Sequence, residues 1–126
     1  MENQEQGSKS RVMKVDSKES WDFHVNQATV QGCPIVAHFT AAWCIPSVAM
    51  NPFMEELASM YQNTISFLTI DVDEVKEVAS KYEVKAMPTF LLLKDGVPVD
   101  KLVGANPDEI RKRVQSFAHS YPTDIA

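Results

Sequence analysis

The chain has 126 residues, 44% hydrophobic and 23% charged, the size and composition of one globular domain with no room for a second core. A formal net charge of -5 and a pI near 5.1 leave no broad basic field, so neither nucleic acid nor an anionic membrane is an expected partner. No apolar run approaches the roughly 18 residues of a membrane span, and MENQEQGSKS has neither a signal h-region nor the Gly after Met that myristoylation needs, so a cytoplasmic location is expected.

Residues 1–10 are polar and charged without apolar period and read as a disordered arm; the domain is expected over 11–119, with a tail over 120–126. RVMKV is a short strand, and DSKESWDFHVNQA a helix with Asp16 or Ser17 as N-cap and Trp21, Val25 and Ala28 on one face. Gly32 and Pro34 end it. PIVAHF is nearly continuous in apolar residues, the mark of a strand covered on both faces, and it leads into the turn WCIPS. A helix over 45–61 follows, with Pro52 inside it removing a backbone donor and kinking it. ISFLTIDV is a second buried strand, after which Asp73 is expected to cap a short helix, EVKEVASKY. PTFLLL and VPVDKLVG, joined through Lys94-Asp95-Gly96, read as a β-hairpin, because Asp-Gly favours the two-residue turn. Asn106 caps the last helix, with Pro107 at its first position and Asp108 and Glu109 on its positive dipole end. The order β-α-β-α-β-α-β-β-α predicts an α/β fold: a central mixed sheet, parallel in its βαβ part and antiparallel in its C-terminal hairpin, flanked by four helices.

With FTAAWCIPS after a buried strand, Pro52 eight residues beyond Cys44, DVDEVKEVASKYEVKAMPTF, and LVGAN before the last helix, the chain resembles the thioredoxin family from about Val12 to Phe117. The DVDE and VKAMPTF wording is closest to plant type h thioredoxins, and the CxxS turn resembles the plant thioredoxin-like CXXS proteins, a monothiol branch. The resemblance implies the thioredoxin fold and makes Cys44 the attacking sulfur. Chemistry agrees, since backbone N–H groups and the dipole at a helix start favour a thiolate, the nucleophile of thiol–disulfide exchange. Ser47 stands where the family has its resolving cysteine. It cannot form a disulfide, so a mixed disulfide on Cys44 must wait for an outside thiol. Ser47 is expected either to donate a hydrogen bond to the Cys44 thiolate or to fill space. His38 replaces the family's buried aspartate, either as a substitute base or as a neutral core residue.

The resemblance further implies that Pro88 is cis and orients substrate, although an ordinary X-Pro bond is cis only about 5–6% of the time. Trp43, Ile45, Pro46, Met87 and Ala105 would then form the substrate-binding rim, with Ile45 adding bulk where the family has glycine. Cys33 is a poor replacement resolver: the strand between the two cysteines holds them roughly 20 Å apart, against the 7 Å or so that a disulfide allows. Two cysteines are too few for a disulfide framework and fit reduced thiols.

Two function classes follow. The first is a monothiol exchange enzyme acting on disulfide-containing proteins, isomerase-like and a weak net reductase, with glutathione or glutaredoxin as electron donor and no bound cofactor or metal. The second is a redox-inactive, chaperone-like binding module that uses the apolar rim around Cys44. An iron–sulfur carrier of the monothiol glutaredoxin type lacks its CGFS turn here. A monomer is expected.

Overall fold

The structure, a computed structural model, describes residues 10–121; residues 1–9 of the expected arm and 122–126 of the expected tail lie outside them. Its centre is β2 (Ile35–Thr40), buried from Ile35 to Phe39. Strand β1 (Val12–Val15) and strand β3 (Ser66–Asp71) lie parallel to each other, and β3 is parallel to β2. Strand β4 (Thr89–Lys94) is antiparallel to β2, and β5 (Val97–Val103) pairs antiparallel with β4 at the edge. The five-stranded order is β1-β3-β2-β4-β5, the mixed sheet that the sequence implies.

Local chemistry sets the element ends. Ser17, the second of the two expected caps, accepts a hydrogen bond from the Ser20 N–H at 3.0 Å and opens α1 (Lys18–Gln31). Gly32 closes it at a φ of 71°, a left-handed conformation that suits glycine. Asp95 and Gly96 both take positive φ, 55° and 77°, which is how a two-residue turn matches the twist of the strands it joins. Asn106 caps α5 (Pro107–Ser120) through the Glu109 N–H at 3.1 Å.

Two expectations change. The helix over 45–61 is broken rather than kinked, giving α2 (Ile45–Val48) and α3 (Asn51–Met60), because the Pro52 ring has no N–H for the Val48 carbonyl and crowds it. Helix α4 (Lys76–Lys81) starts without a side-chain cap, so Asp73 is not its N-cap. Asp71, at the end of β3, takes the turn instead, accepting from the N–H groups of Asp73 and Glu74. The four expected helices thus become five helical segments among the described residues.

Alternation along the strands divides the core. Ile35, Ala37 and Phe39 of β2 face α1 and α4, where Trp21, Ala28, Val75 and Val78 cover them. Val36, Phe67, Phe90 and Leu92 face α3 and α5, against Met54, Leu57, Ile110, Val114 and Phe117. His38 and Thr40, two and four residues after Val36, therefore point to the α2–α3 side, and this places the site.

Candidate active site

Ala41 ends the strand and turns the chain: the Cys44 N–H donates to the Ala41 carbonyl at 3.0 Å, and Cys44 becomes the N-cap of α2. The first-turn N–H groups of a helix have no intrahelical partner, so those of Ile45 and Ser47 lie beside the sulfur's end of the turn, Pro46 contributing none. Cys44 is half-buried, and its Sγ lies 3.5 Å from the Met87 carbonyl oxygen, to which the thiol donates. The Met87–Pro88 peptide bond is cis, and Pro88 is buried with its carbonyl accepting from the Gly104 N–H at 2.9 Å. Cys44, Met87, Pro88 and, next to Gly104, Ala105 are thus brought together from three parts of the chain.

The apolar rim is exposed on one side of the sulfur. Trp43 is 66% and Ile45 79% exposed, Pro46 and Ala105 are exposed, and Met87 is half-buried. Trp43 is held in place by its indole N–H, which donates to Asp73 Oδ2 at 2.8 Å. The acid expected to cap α4 serves the rim instead, a contact between residues 30 apart that no local signal marks.

Beneath the sulfur lies a buried polar group. Ser47 is 0% exposed; its Oγ lies 2.6 Å from Thr40 Oγ1, to which it donates, and 3.3 Å from His38 Nε2. Of the two expected uses of Ser47, the bond to the thiolate is absent among the described contacts, because the hydroxyl's one proton goes to Thr40 Oγ1. His38 is fully buried, stacks on Phe90 with ring centroids 4.8 Å apart, and has no partner for Nδ1. Burial pulls its pKa down to about 4, so the ring is neutral at physiological pH. A neutral ring whose Nε2 donates to Ser47 leaves Nδ1 as an unpaired acceptor, less costly than an unpaired N–H. Sequence reading missed Thr40. The signal was present in the alternation of HFT, which puts His38 and Thr40 on one face at the end of a buried strand.

Cys33 precedes β2, at the strand's other end from Cys44, and its thiol donates to the Thr64 carbonyl at 3.3 Å. Burial pushes the Cys33 thiol pKa up. Iodoacetamide at neutral pH should therefore label Cys33 far more slowly than Cys44, as peptide mass spectrometry of the folded chain would show; equal labelling would contradict it. Among the described residues no three His, Cys, Asp or Glu side chains are grouped to hold a metal ion, and no helix is long and apolar enough to cross a membrane.

The family model "Thioredoxin" matches residues 11–116. Thioredoxin-like protein CXXS1 of Arabidopsis thaliana is 69% identical over 111 residues, which cover 88% of this chain and 93% of that protein. Thioredoxin-like protein CXXS1 of rice (Oryza sativa subsp. japonica) is 53% identical over 120 residues, 92% and 90% of the two chains. Among solved structures, a poplar thioredoxin h mutant superposes with a TM-score of 0.85 at 41% identity, covering 90% of this chain and 87% of its own. The chain belongs to the thioredoxin family, whose members are thiol–disulfide oxidoreductases acting on disulfide-containing proteins.

Proposed function

We propose that the chain is a monothiol exchange enzyme in which Cys44 forms mixed disulfides with protein substrates and an outside thiol resolves them. One observation carries the reading: the residue one turn after Cys44 is a serine, fully buried and bonded to Thr40 and His38, while the other thiol, Cys33, lies at the far end of β2.

The steps balance without an internal electron pair. The Cys44 thiolate attacks one sulfur of a substrate disulfide; the Cys44–substrate bond forms, the old disulfide breaks, and the second substrate sulfur leaves as thiolate. If a different thiolate of the same substrate attacks the mixed disulfide, Cys44 departs and the substrate has a rearranged disulfide with no net oxidation or reduction. If glutathione attacks instead, a second glutathione must follow to complete a two-electron reduction, with oxidised glutathione as product. Isomerisation and glutathione-dependent exchange are thus favoured over net reduction, and glutathione or glutaredoxin serves as the electron donor. A cytoplasmic location, where reduced glutathione is at hand, suits this chemistry, as does a monomer with the rim open to substrate. Trp43, Ile45, Pro46, Met87 and Ala105 receive the polypeptide, and Pro88 orients it beside the Met87 carbonyl.

Refolding of a scrambled-disulfide protein, run beside reduction of insulin with NADPH and thioredoxin reductase, tests the reading. The expected result is refolding that depends on Cys44 together with slow reduction. Reduction as fast as that of a dithiol thioredoxin would refute it, and refolding that survives Cys44→Ser would favour a binding module working through the exposed rim.

A further inference from the structure

The turn that carries the nucleophile is short and thinly anchored. Helix α2 has four residues, of which Ile45, Pro46 and Val48 are exposed, Val48 by 40%, and Ser47 is buried. Its backbone bonds run as far as the Met50 N–H, which donates to the Ser47 carbonyl at 3.1 Å, and stop there, since Pro52 cannot donate to the Val48 carbonyl. Within the turn itself, the side chain that reaches the sheet is the Ser47 hydroxyl, seated between two residues of β2.

We propose that Thr40 is a positioning residue for exchange at Cys44: with His38 it binds the Ser47 hydroxyl group, and through that tie it pins the Cys44-bearing turn to the C-terminal end of β2. His38 and Thr40 stand on one face of the strand, two residues and so roughly 6–7 Å apart along it, and the Ser47 oxygen bridges them at 3.3 and 2.6 Å. The Ser47 hydroxyl accepts from the His38 Nε2–H and donates its one proton to Thr40, so the buried serine has a partner for its proton and one for its oxygen. Thiol–disulfide exchange needs the attacking, central and leaving sulfurs in line, so a turn that drifts from the sheet loses rate. The inference rests on the exchange reading above and adds the reason for a serine at this position: its hydroxyl holds the turn and leaves the sulfur alone.

Amide hydrogen exchange and sulfur reactivity test it together. The Val48 and Ala49 N–H groups donate to the Cys44 and Ile45 carbonyls at 3.0 and 2.9 Å and report on the turn; the β4 amides report on the core. Thr40→Val should speed exchange at Val48 and Ala49 by about five- to tenfold, the worth of one hydrogen bond, with β4 unchanged. The rate of Cys44 with the disulfide DTNB, corrected for Cys33 by the Cys44→Ser variant, should fall by a similar factor. Thr40→Ser should restore both, Ser47→Ala should match Thr40→Val, and the double variant should be no worse than either. Unchanged exchange at Val48 and Ala49, additive effects, or an equal loss of protection in β4 would each overturn the proposal. If wild-type Cys44 reacts no faster than Cys33, the exchange reading fails, and the amide arm still decides whether the tie exists.

Discussion

Ser47→Cys is expected to raise net disulfide reduction on the order of 10²-fold or more, because a thiol one turn away competes with millimolar outside thiol at a far higher effective concentration. Residues three apart on a helix stand about 5–6 Å apart, inside the distance a disulfide spans. The gain should fall short of a dithiol thioredoxin for two local reasons. The new thiol must lose its proton in a seat beside His38, which burial holds neutral with a pKa of about 4 and so makes a weak base. It also binds Thr40 less well than the hydroxyl it replaces. Adding His38→Asp should speed reduction beyond Ser47→Cys alone, since burial raises a carboxyl's pKa towards neutrality and makes it the better base. Insulin reduction with NADPH and thioredoxin reductase measures both; no gain from Ser47→Cys would mean that the missing thiol is not what limits reduction.

The second large effect is on stability, and it comes from the same histidine. His38 titrates near 4 when folded and near 6.5 when unfolded, so between those values the unfolded chain binds a proton that the folded chain does not. Stability is therefore full above about pH 6.5 and falls as pH drops towards 4, by about 3 kcal/mol if the whole interval is crossed, at 1.36 kcal/mol per pH unit. Carboxylates and His24, whose pKa burial also lowers, titrate in the same region, but they are common to wild type and His38→Gln. Urea unfolding at pH 7 and pH 4.5 should show wild type losing about 2 kcal/mol more than His38→Gln. A difference below about 0.5 kcal/mol would place the folded His38 pKa close to its ordinary value.

Much of the fold was legible because its signals are local. Apolar runs mark β2 and β4, Asp95-Gly96 the hairpin, Gly32 and Asn106 the helix ends, and each owes its conformation to a few neighbouring residues. Pro52 was read correctly as a disturbance but not as a full break, since whether a helix bends or parts depends on what the sheet beneath it offers. Asp73 shows the limit more sharply. Its spacing before EVKEVASKY suits a cap, yet Trp43, distant in sequence and brought near by the parallel crossover, takes the carboxylate. Within the site, the thiol and its missing partner stand in the motif itself. The use of Ser47 does not, because Thr40 and His38 reach it only once β2 has turned into α2.

The missing resolving thiol is tested most directly by the lifetime of the mixed disulfide. A target protein carrying one cysteine activated as its thionitrobenzoate disulfide is mixed with the chain, with no other thiol present, and followed by non-reducing denaturing electrophoresis. Attack by Cys44 releases thionitrobenzoate and forms a covalent one-to-one adduct that Ser47 cannot cut. Wild type should hold that adduct until millimolar glutathione is added, Ser47→Cys should release reduced target unaided, and Cys44→Ser should form none. An adduct that disappears without added thiol as quickly in wild type as in Ser47→Cys, or none at all while Cys44 still alkylates, would contradict the monothiol mechanism.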